Sequence, residues 1–244
     1  MTTEYSKTKL LYEGKAKKVF STSDNLKLIQ EFKDSLTAFN AQKKGSFKGK
    51  GEINLKITTC IFKYLGTHGV KTHFLKRLDD QDMLVEKLTM IPLEVVVRNK
   101  AAGSISARLG IPEGTQLKSP LVEFYYKKDE LGDPIVNEDH IAILEAATPP
   151  QLAELKKRAF QINKHLQKIF EEVGVDLIDF KIEFGVNDKG EIILADEISP
   201  DSCRLWDSKT GEKLDKDRFR RDLGKVEESY RLICDKILER WGKS

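Results

Sequence analysis

The sequence predicts an α+β protein in two lobes, a small β-rich one followed by a larger mixed one. Three observations predict it. Strand-like runs crowd the chain up to Leu88, while helices interleave with strands beyond it. A capped helix opening at Thr148 carries a long apolar stripe. The run Leu177–Gly185 alternates strictly, so Asp179, Lys181 and Glu183 share one face and Phe180, Ile182 and Phe184 the other. The boundary is expected between Leu88 and Pro92, giving units of residues 1–88 and 89–244. A chain of 244 residues can bury one large core or two small ones.

Taken in order, Leu10–Phe20 reads as strand, glycine turn, strand, and Lys27–Phe32 as a third strand. The turn carries Gly14, Lys15 and Lys17, which can bring backbone N–H groups and two ammonium groups onto a polyphosphate. It is neither a P-loop nor a dinucleotide fingerprint, and a basic surface turn is the alternative. Residues 41–51, with three glycines and four lysines, suggest a mobile loop: a lid over anions, an RNA-contacting loop, or a solvated segment. Glu52–Leu65 shows helical spacing of Ile53, Ile57, Ile61 and Tyr64 and stops near Gly66. Lys71–Lys76 and Met83–Leu88 are strand-like.

Pro92–Arg98 is a β-branched strand that delivers Arg98 to a small-residue turn, with Ser104 at the start of a short helix. A planar guanidinium beside free helical N–H groups suits a carboxylate or phosphate. An exposed arginine at a strand end is the alternative. Leu121–Tyr126 is a further strand, followed by Lys127 and the turn Gly132-Asp133-Pro134. In the capped helix Thr148, Pro149 and Gln151 form the start and Gly174 the stop, with Leu152, Leu155, Ala159, Ile162 and Leu166 inward. Ile198–Asp207 reads as a site loop delivering Arg204. The last helix spans Leu223–Trp241, with Val226, Tyr230, Ile233 and Ile237 inward.

The alternating strand meets a second run, Glu191–Glu197, across Asn187-Asp188-Lys189-Gly190. A symmetric hairpin pairs Val186 with Glu191, Glu183 with Leu194 and Lys181 with Asp196; a one-residue bulge would break that register. Asp196 then joins Asp179, Lys181 and Glu183 on one face. Carboxylates around one ammonium stabilise a fold poorly but hold a divalent cation beside phosphate well. The alternative is a solvated face with a cross-strand Lys–Asp pair.

Composition narrows the function classes. Charged residues are 33%, apolar residues 39% and the formal charge only +3, so bulk charge does not argue for nucleic acid. Cys60, Cys203 and Cys234 are scattered, which suggests a reducing compartment and a cytoplasmic protein. The four histidines lack zinc-site spacing. No apolar signal stretch and no run of membrane-spanning length is present, so a membrane is not an expected partner.

Ile91–Ser104 and Leu177–Gly185 resemble the two signature segments of the SAICAR synthetase (phosphoribosylaminoimidazole-succinocarboxamide synthase) family. Tyr12–Lys17, Val136–Glu138 and Asp196–Asp207 match in order, so the resemblance covers nearly the whole chain. It implies a kinase-like antiparallel β lobe over a larger α+β lobe, related to ATP-grasp folds, with an ATP cleft between them. It implies a ligase of de novo purine biosynthesis, in which ATP phosphorylates the carboxylate of an aminoimidazole ribonucleotide (CAIR) and the amine of L-aspartate attacks the acyl phosphate. The cofactors implied are ATP and Mg²⁺, and a homodimer is a family habit.

Carried over by position, the resemblance implies that Gly14, Lys15, Ala16, Lys17 and Val19 hold the nucleotide, with Val19 near the adenine. It implies that Glu183 and Asp196 ligate the metal and that Arg98, Ser104, Arg204 and Asp133 bind substrate. Lys181, Asp179 and Lys127 are the implied catalytic group. Asn40 stands where some relatives carry aspartate. Two rivals are weighed: a small-molecule phosphotransferase with a kinase-like cleft, against which no H-R-D or D-F-G segment is found, and an RNA-binding module using Lys43–Lys50.

Overall fold

The structure, a computed structural model, describes residues 5–38 and 42–242. Asn40 lies outside the described residues. Strands β1 (Leu10–Glu13), β2 (Lys17–Ser21) and β3 (Lys27–Phe32) form an antiparallel meander whose first turn is Gly14 to Ala16. A separate hairpin follows, of β4 (Ser35–Ala38) and β5 (Lys43–Ser46), then helix α1 (Lys50–Thr67). The stretch expected as a loop over 41–51 is thus, where described, the strand β5, an irregular segment over 47–49 and the first two residues of α1.

Its glycines serve close approach rather than looseness. A Cβ on Gly51 would stand 2.5 Å from the Phe32 carbonyl oxygen, and one on Gly45 would press into the Phe219 ring. Gly49 sits at φ +86°, a conformation open to glycine, at the N-cap of α1. It brings no capping side chain. Asp34 fills that role from outside, accepting from Gly49 N at 3.1 Å and Gly51 N at 2.9 Å.

Strands β6 (Phe74–Arg77) and β7 (Asp82–Glu86) complete a five-stranded sheet in the order β1-β2-β3-β7-β6. The chain then builds β8 (Thr89–Lys100), α2 (Ser104–Leu109), β9 (Gln116–Tyr126), β10 (Ile135–Val136), α3 (Glu138–Ile143) and α4 (Pro149–Glu171). It ends with β11 (Val175–Val186), β12 (Ile192–Ala195), β13 (Cys203–Asp207), α5 (Asp217–Arg220) and α6 (Val226–Trp241). The second sheet runs β10-β9-β8-β11-β12, and β13 shares an edge of β11 with β12. The expected site loop over 198–207 is therefore partly a strand. Helix α4 starts as its sequence dictates, with Thr148 and Gln151 in a reciprocal capping box.

Pairing passes from one sheet to the other between β7 and β8, where the lobe boundary is expected. The core does not divide there. Ile57, Ile61 and Leu65 of α1 belong to one buried cluster with Val95 of β8, Phe180 of β11, Leu166 of α4 and Ile233 of α6. A smaller cluster, Phe32, Leu55, Met83 and Val85, lies under the first sheet. Backbone bonds also cross: His73 N donates to Leu194 O at 2.8 Å. No helix among the described residues is long and apolar enough to cross a membrane.

The hairpin register differs from the symmetric one by a residue. Glu183 pairs with Ala195 and Val186 with Ile192. The cause is the turn: Asn187 N donates to Glu191 O at 3.0 Å, leaving a three-residue loop that ends in Gly190 at φ +77°. Asn187 Oδ1 closes it by accepting from Lys189 N and Glu191 N. Continued alternation would then send Asp196 away from Glu183. Asp196 instead adopts φ +61°, a left-handed backbone rare for a non-glycine residue, which re-aims its carboxylate.

Candidate active site

Two cavities meet over the polar face of β11. One, of about 370 Å³, is walled by Arg98, Ser104, Asp179, Arg204 and Arg220. The other, of about 600 Å³, is walled by Gly14, Lys17, Met90, Ile91, Glu183 and Asp196. Lys15, Glu94, Lys181, Asp201, Ser202 and Lys216 line both and define the junction. β8 pairs with β11 so that Arg98 opposes Asp179 and Glu94 opposes Glu183. The outward residues of both strands therefore form one charged surface, backed by Phe180, Ile182 and Phe184 in the core.

Lys181 stands at its centre. Its ammonium donates to Glu183 at 2.6 Å, Glu94 at 3.1 Å and Asp196 at 3.4 Å. Lys17 reaches across from β2 to donate to Glu197 at 2.7 Å and to Asp196, and Lys127 donates to Glu183. Burial alone would push Glu183 and Asp196 toward neutrality. The ammonium groups outweigh it, Lys181 and Lys127 at Glu183, Lys17 and Lys181 at Asp196, holding both carboxyls below their usual range and ionised. Burial would likewise discharge Lys17 and Lys181, but the surrounding carboxylates hold both cationic. Glu94, Glu183, Asp196 and Glu197 face three lysines, so the cluster carries excess negative charge.

In the smaller cavity Arg98, 3% exposed, spends its whole guanidinium. It donates to Glu123 at 2.7 Å, Asp179 at 2.6 Å, the Ala102 carbonyl at 3.2 Å, Ser104 at 3.0 Å and Tyr125 at 3.1 Å. Arg204 donates to Asp179 at 2.8 Å and Asp217 at 3.0 Å. Asp179 thus locks two arginines side by side. The Arg204 guanidinium lies so close over Gly103 that a Cβ there would overlap it, and Gly103 sits at φ +62°. A glycine is required at that turn. Arg220 joins the wall from α5, held by Asp217 at 2.5 Å.

The sequence-expected residues are thus brought together with some exceptions. Val19 lines neither cavity; it is paired within the sheet, opposite Gln30. Asp133 lies on the wall of the larger cavity, away from Arg98, Ser104 and Arg204, and accepts from Lys128 N at 2.9 Å. Lys15 faces both cavities but donates at 2.8 Å to the exposed Asp129. Sequence reasoning missed Glu94, Glu197, Lys216 and Arg220. Glu94 was within reach, because the β8 alternation places it on the same face as Arg98. Lys216 caps, and Arg220 ends, a four-residue helix with no periodic signal.

The donor set fits a hard divalent cation. Glu183 and Asp196 offer ionised oxygens that share one ammonium, and no cluster of three or more His, Cys, Asp or Glu suited to a metal occurs among the described residues. Two carboxylates completed by phosphate oxygens and water is how Mg²⁺ is commonly held.

Comparison with known proteins bears on the chemistry. The SAICAR synthetase family profile matches residues 10–237. A phosphoribosylaminoimidazole-succinocarboxamide synthase of Bacillus subtilis is 53% identical over 231 residues, 95% of this chain and 96% of its own. One of Halalkalibacterium halodurans is 56% identical over 93% of this chain and 96% of its own. The crystal structure of the Ehrlichia chaffeensis enzyme of that name superposes with a TM-score of 0.92 at 47% identity, covering 94% of this chain and 98% of the other. A SAICAR synthetase in complex with ADP gives 0.90 at 49% identity, covering 93% and 96%.

Proposed function

The chain belongs to the SAICAR synthetase family and is an ATP-dependent ligase of purine biosynthesis, and we propose that its two cavities join CAIR to L-aspartate through an acyl phosphate. The carrying observation is the junction: Lys181, Glu183 and Asp196 converge where an arginine-walled cavity opens into one walled by Gly14, Lys15 and Lys17. ADP in a relative 49% identical to this chain supports nucleotide in the latter. The small and large sheets would then act as two lobes closing on ATP.

In this reading the ribonucleotide phosphate sits against Arg204, Ser104 and Arg220, and its carboxylate points along β11 toward Lys181. Lys15 and Lys17 grip the polyphosphate. Lys15 would exchange Asp129 for it at little cost, since an exposed pair contributes under about 1 kcal/mol. Glu183 and Asp196 would hold Mg²⁺. When bound, that ion offsets charge developing on the transferred phosphoryl group.

A carboxylate oxygen of CAIR attacks the γ-phosphorus and ADP leaves. Lys181 lies beside the transferring group and stabilises its charge as it moves between two anions. The neutral amine of aspartate then attacks the acyl carbon, inorganic phosphate leaves, and the amine loses a proton. Lys127, bound to Glu183, positions that carboxylate. The test is ADP release with CAIR and ATP alone, then with L-aspartate, together with the mass of the product. Aspartate-independent phosphorylation of an alcohol would favour the phosphotransferase instead.

A further inference from the structure

Lys216 precedes α5, and its backbone N donates to Pro200 O at 3.1 Å, which pins it against the Ser199–Asp201 turn. Its side chain, 13% exposed, lines both cavities. Of the three ammonium groups at the junction, Lys15 and Lys181 donate to carboxylates. Lys216 donates to none among the described residues. Its nearest carboxylate oxygen, on Asp201, is 3.8 Å away, beyond hydrogen-bonding distance. Asp201 is already committed, accepting from Tyr230 at 2.8 Å and Asn54 at 3.0 Å and pairing with Lys50 at 2.5 Å.

A buried ammonium with no hydrogen-bonded anion is costly unless a ligand supplies one. The other anionic groups expected here have their own cations, the ribonucleotide phosphate at Arg204, its carboxylate at Lys181, and the polyphosphate at Lys15 and Lys17. Between them the attacking amine must arrive, and in a dicarboxylic amino acid it arrives with two carboxylates. We propose that Lys216 receives one of those carboxylates and so forms the acid-recognising end of the amine donor's subsite. This rests on the ligase reading above. Burial, then the positive charge of Arg220 and Lys50, presses the Lys216 ammonium down from its ordinary value against the pull of Asp201. A bound carboxylate would relieve that pressure.

The test compares Lys216→Met and Lys216→Arg in the full chain. Initial rates are measured with L-aspartate, and separately with hydroxylamine, which traps an acyl phosphate as a hydroxamate and carries no carboxylate. Loss of one charge-assisted bond should raise the KM for aspartate roughly tenfold to a hundredfold in the methionine variant. KM for ATP and CAIR should stay within about twofold, hydroxamate should still form, and arginine should recover part of the aspartate affinity. An unchanged KM for aspartate overturns the assignment. So does a fall in hydroxamate formation matching the fall with aspartate, which would place Lys216 in the first step or in the fold. Lys216→Gln carries the same readouts if the methionine variant does not fold. Hydroxamate formation by the wild-type protein checks the ligase reading separately, and its absence overturns both.

Discussion

Glu183 shows how one side chain answers to several partners. It is 3% exposed, accepts from Lys181 and Lys127, and is a proposed metal ligand. Glu183→Gln keeps the shape but removes the charge, so turnover should fall at least about a hundredfold with the fold retained. Wild-type kinetics in a melting-competent variant would refute the role. Arg98 carries a second burden. From the sequence, Arg98→Lys keeps the charge and loses the fork, so KM for CAIR should rise while ATP binding survives. The structure adds that five acceptors depend on this guanidinium. A lysine cannot serve them all, so thermal stability should drop as well, on the order of 1–3 kcal/mol. An unchanged melting temperature would show that Glu123 and Asp179 repair themselves without it.

Among the elements, the buried carboxyl of Asp215 ties β13 to the start of α5, beside the Arg204–Asp217 pair. Asp215 accepts from Leu205 N at 2.8 Å and Asp217 N at 2.7 Å. Burial, reinforced by the neighbouring Asp217 charge and opposed by those bonds and Arg204, pushes its carboxyl up to about 7. The unfolded chain releases this proton near 3.8, the folded one near 7, so raising the pH through that window removes stability, by roughly 4 kcal/mol in all. Asp215→Asn is neutral throughout. Melting curves from pH 4 to pH 8 should therefore fall less steeply in the variant than in wild type. Parallel curves would mean that Asp215 is ionised in the folded protein at all of these pH values. Because α5 carries Arg220 to the site wall and Lys216 immediately precedes it, this joint also sets where those two cations stand.

At the scale of the molecule, the two sheets differ in pairing but share a core. Helix α1 follows β5 in sequence, yet most of its inward face belongs to the cluster of β8, β11, α4 and α6, with Leu55 under the first sheet. We expect one cooperative unfolding transition. Trp206 and Trp241 both report on the second half, whereas far-UV circular dichroism reports on both sheets. Coincident midpoints would bear out the shared core; an early loss of circular dichroism with unchanged fluorescence would show the first sheet melting alone. The same packing keeps the two cavities contiguous, because Lys15 and Lys17, next to the first sheet's opening turn, are held against Asp129 and Glu197 from the second half.

The sequence by itself determined what depends on near neighbours. The α4 capping box, the alternation that puts Asp179, Lys181 and Glu183 on one face, and Arg98 feeding a glycine turn were all legible, since each is a matter of a few residues' spacing. So was the family, whose motifs name most of the site. Only the tertiary structure decided the rest. The hairpin register hung on one extra paired residue at Asn187, and Asp196 reaches its partners through a left-handed backbone that no periodicity announces. Glycines and lysines between positions 43 and 51 looked loose by composition, but what they meet is Phe32, Asp34 and Phe219 from elsewhere in the chain. Lys216 gains its meaning from carboxylates that are spent on other groups. Contacts between distant segments follow from packing geometry, and a local pattern carries no record of it.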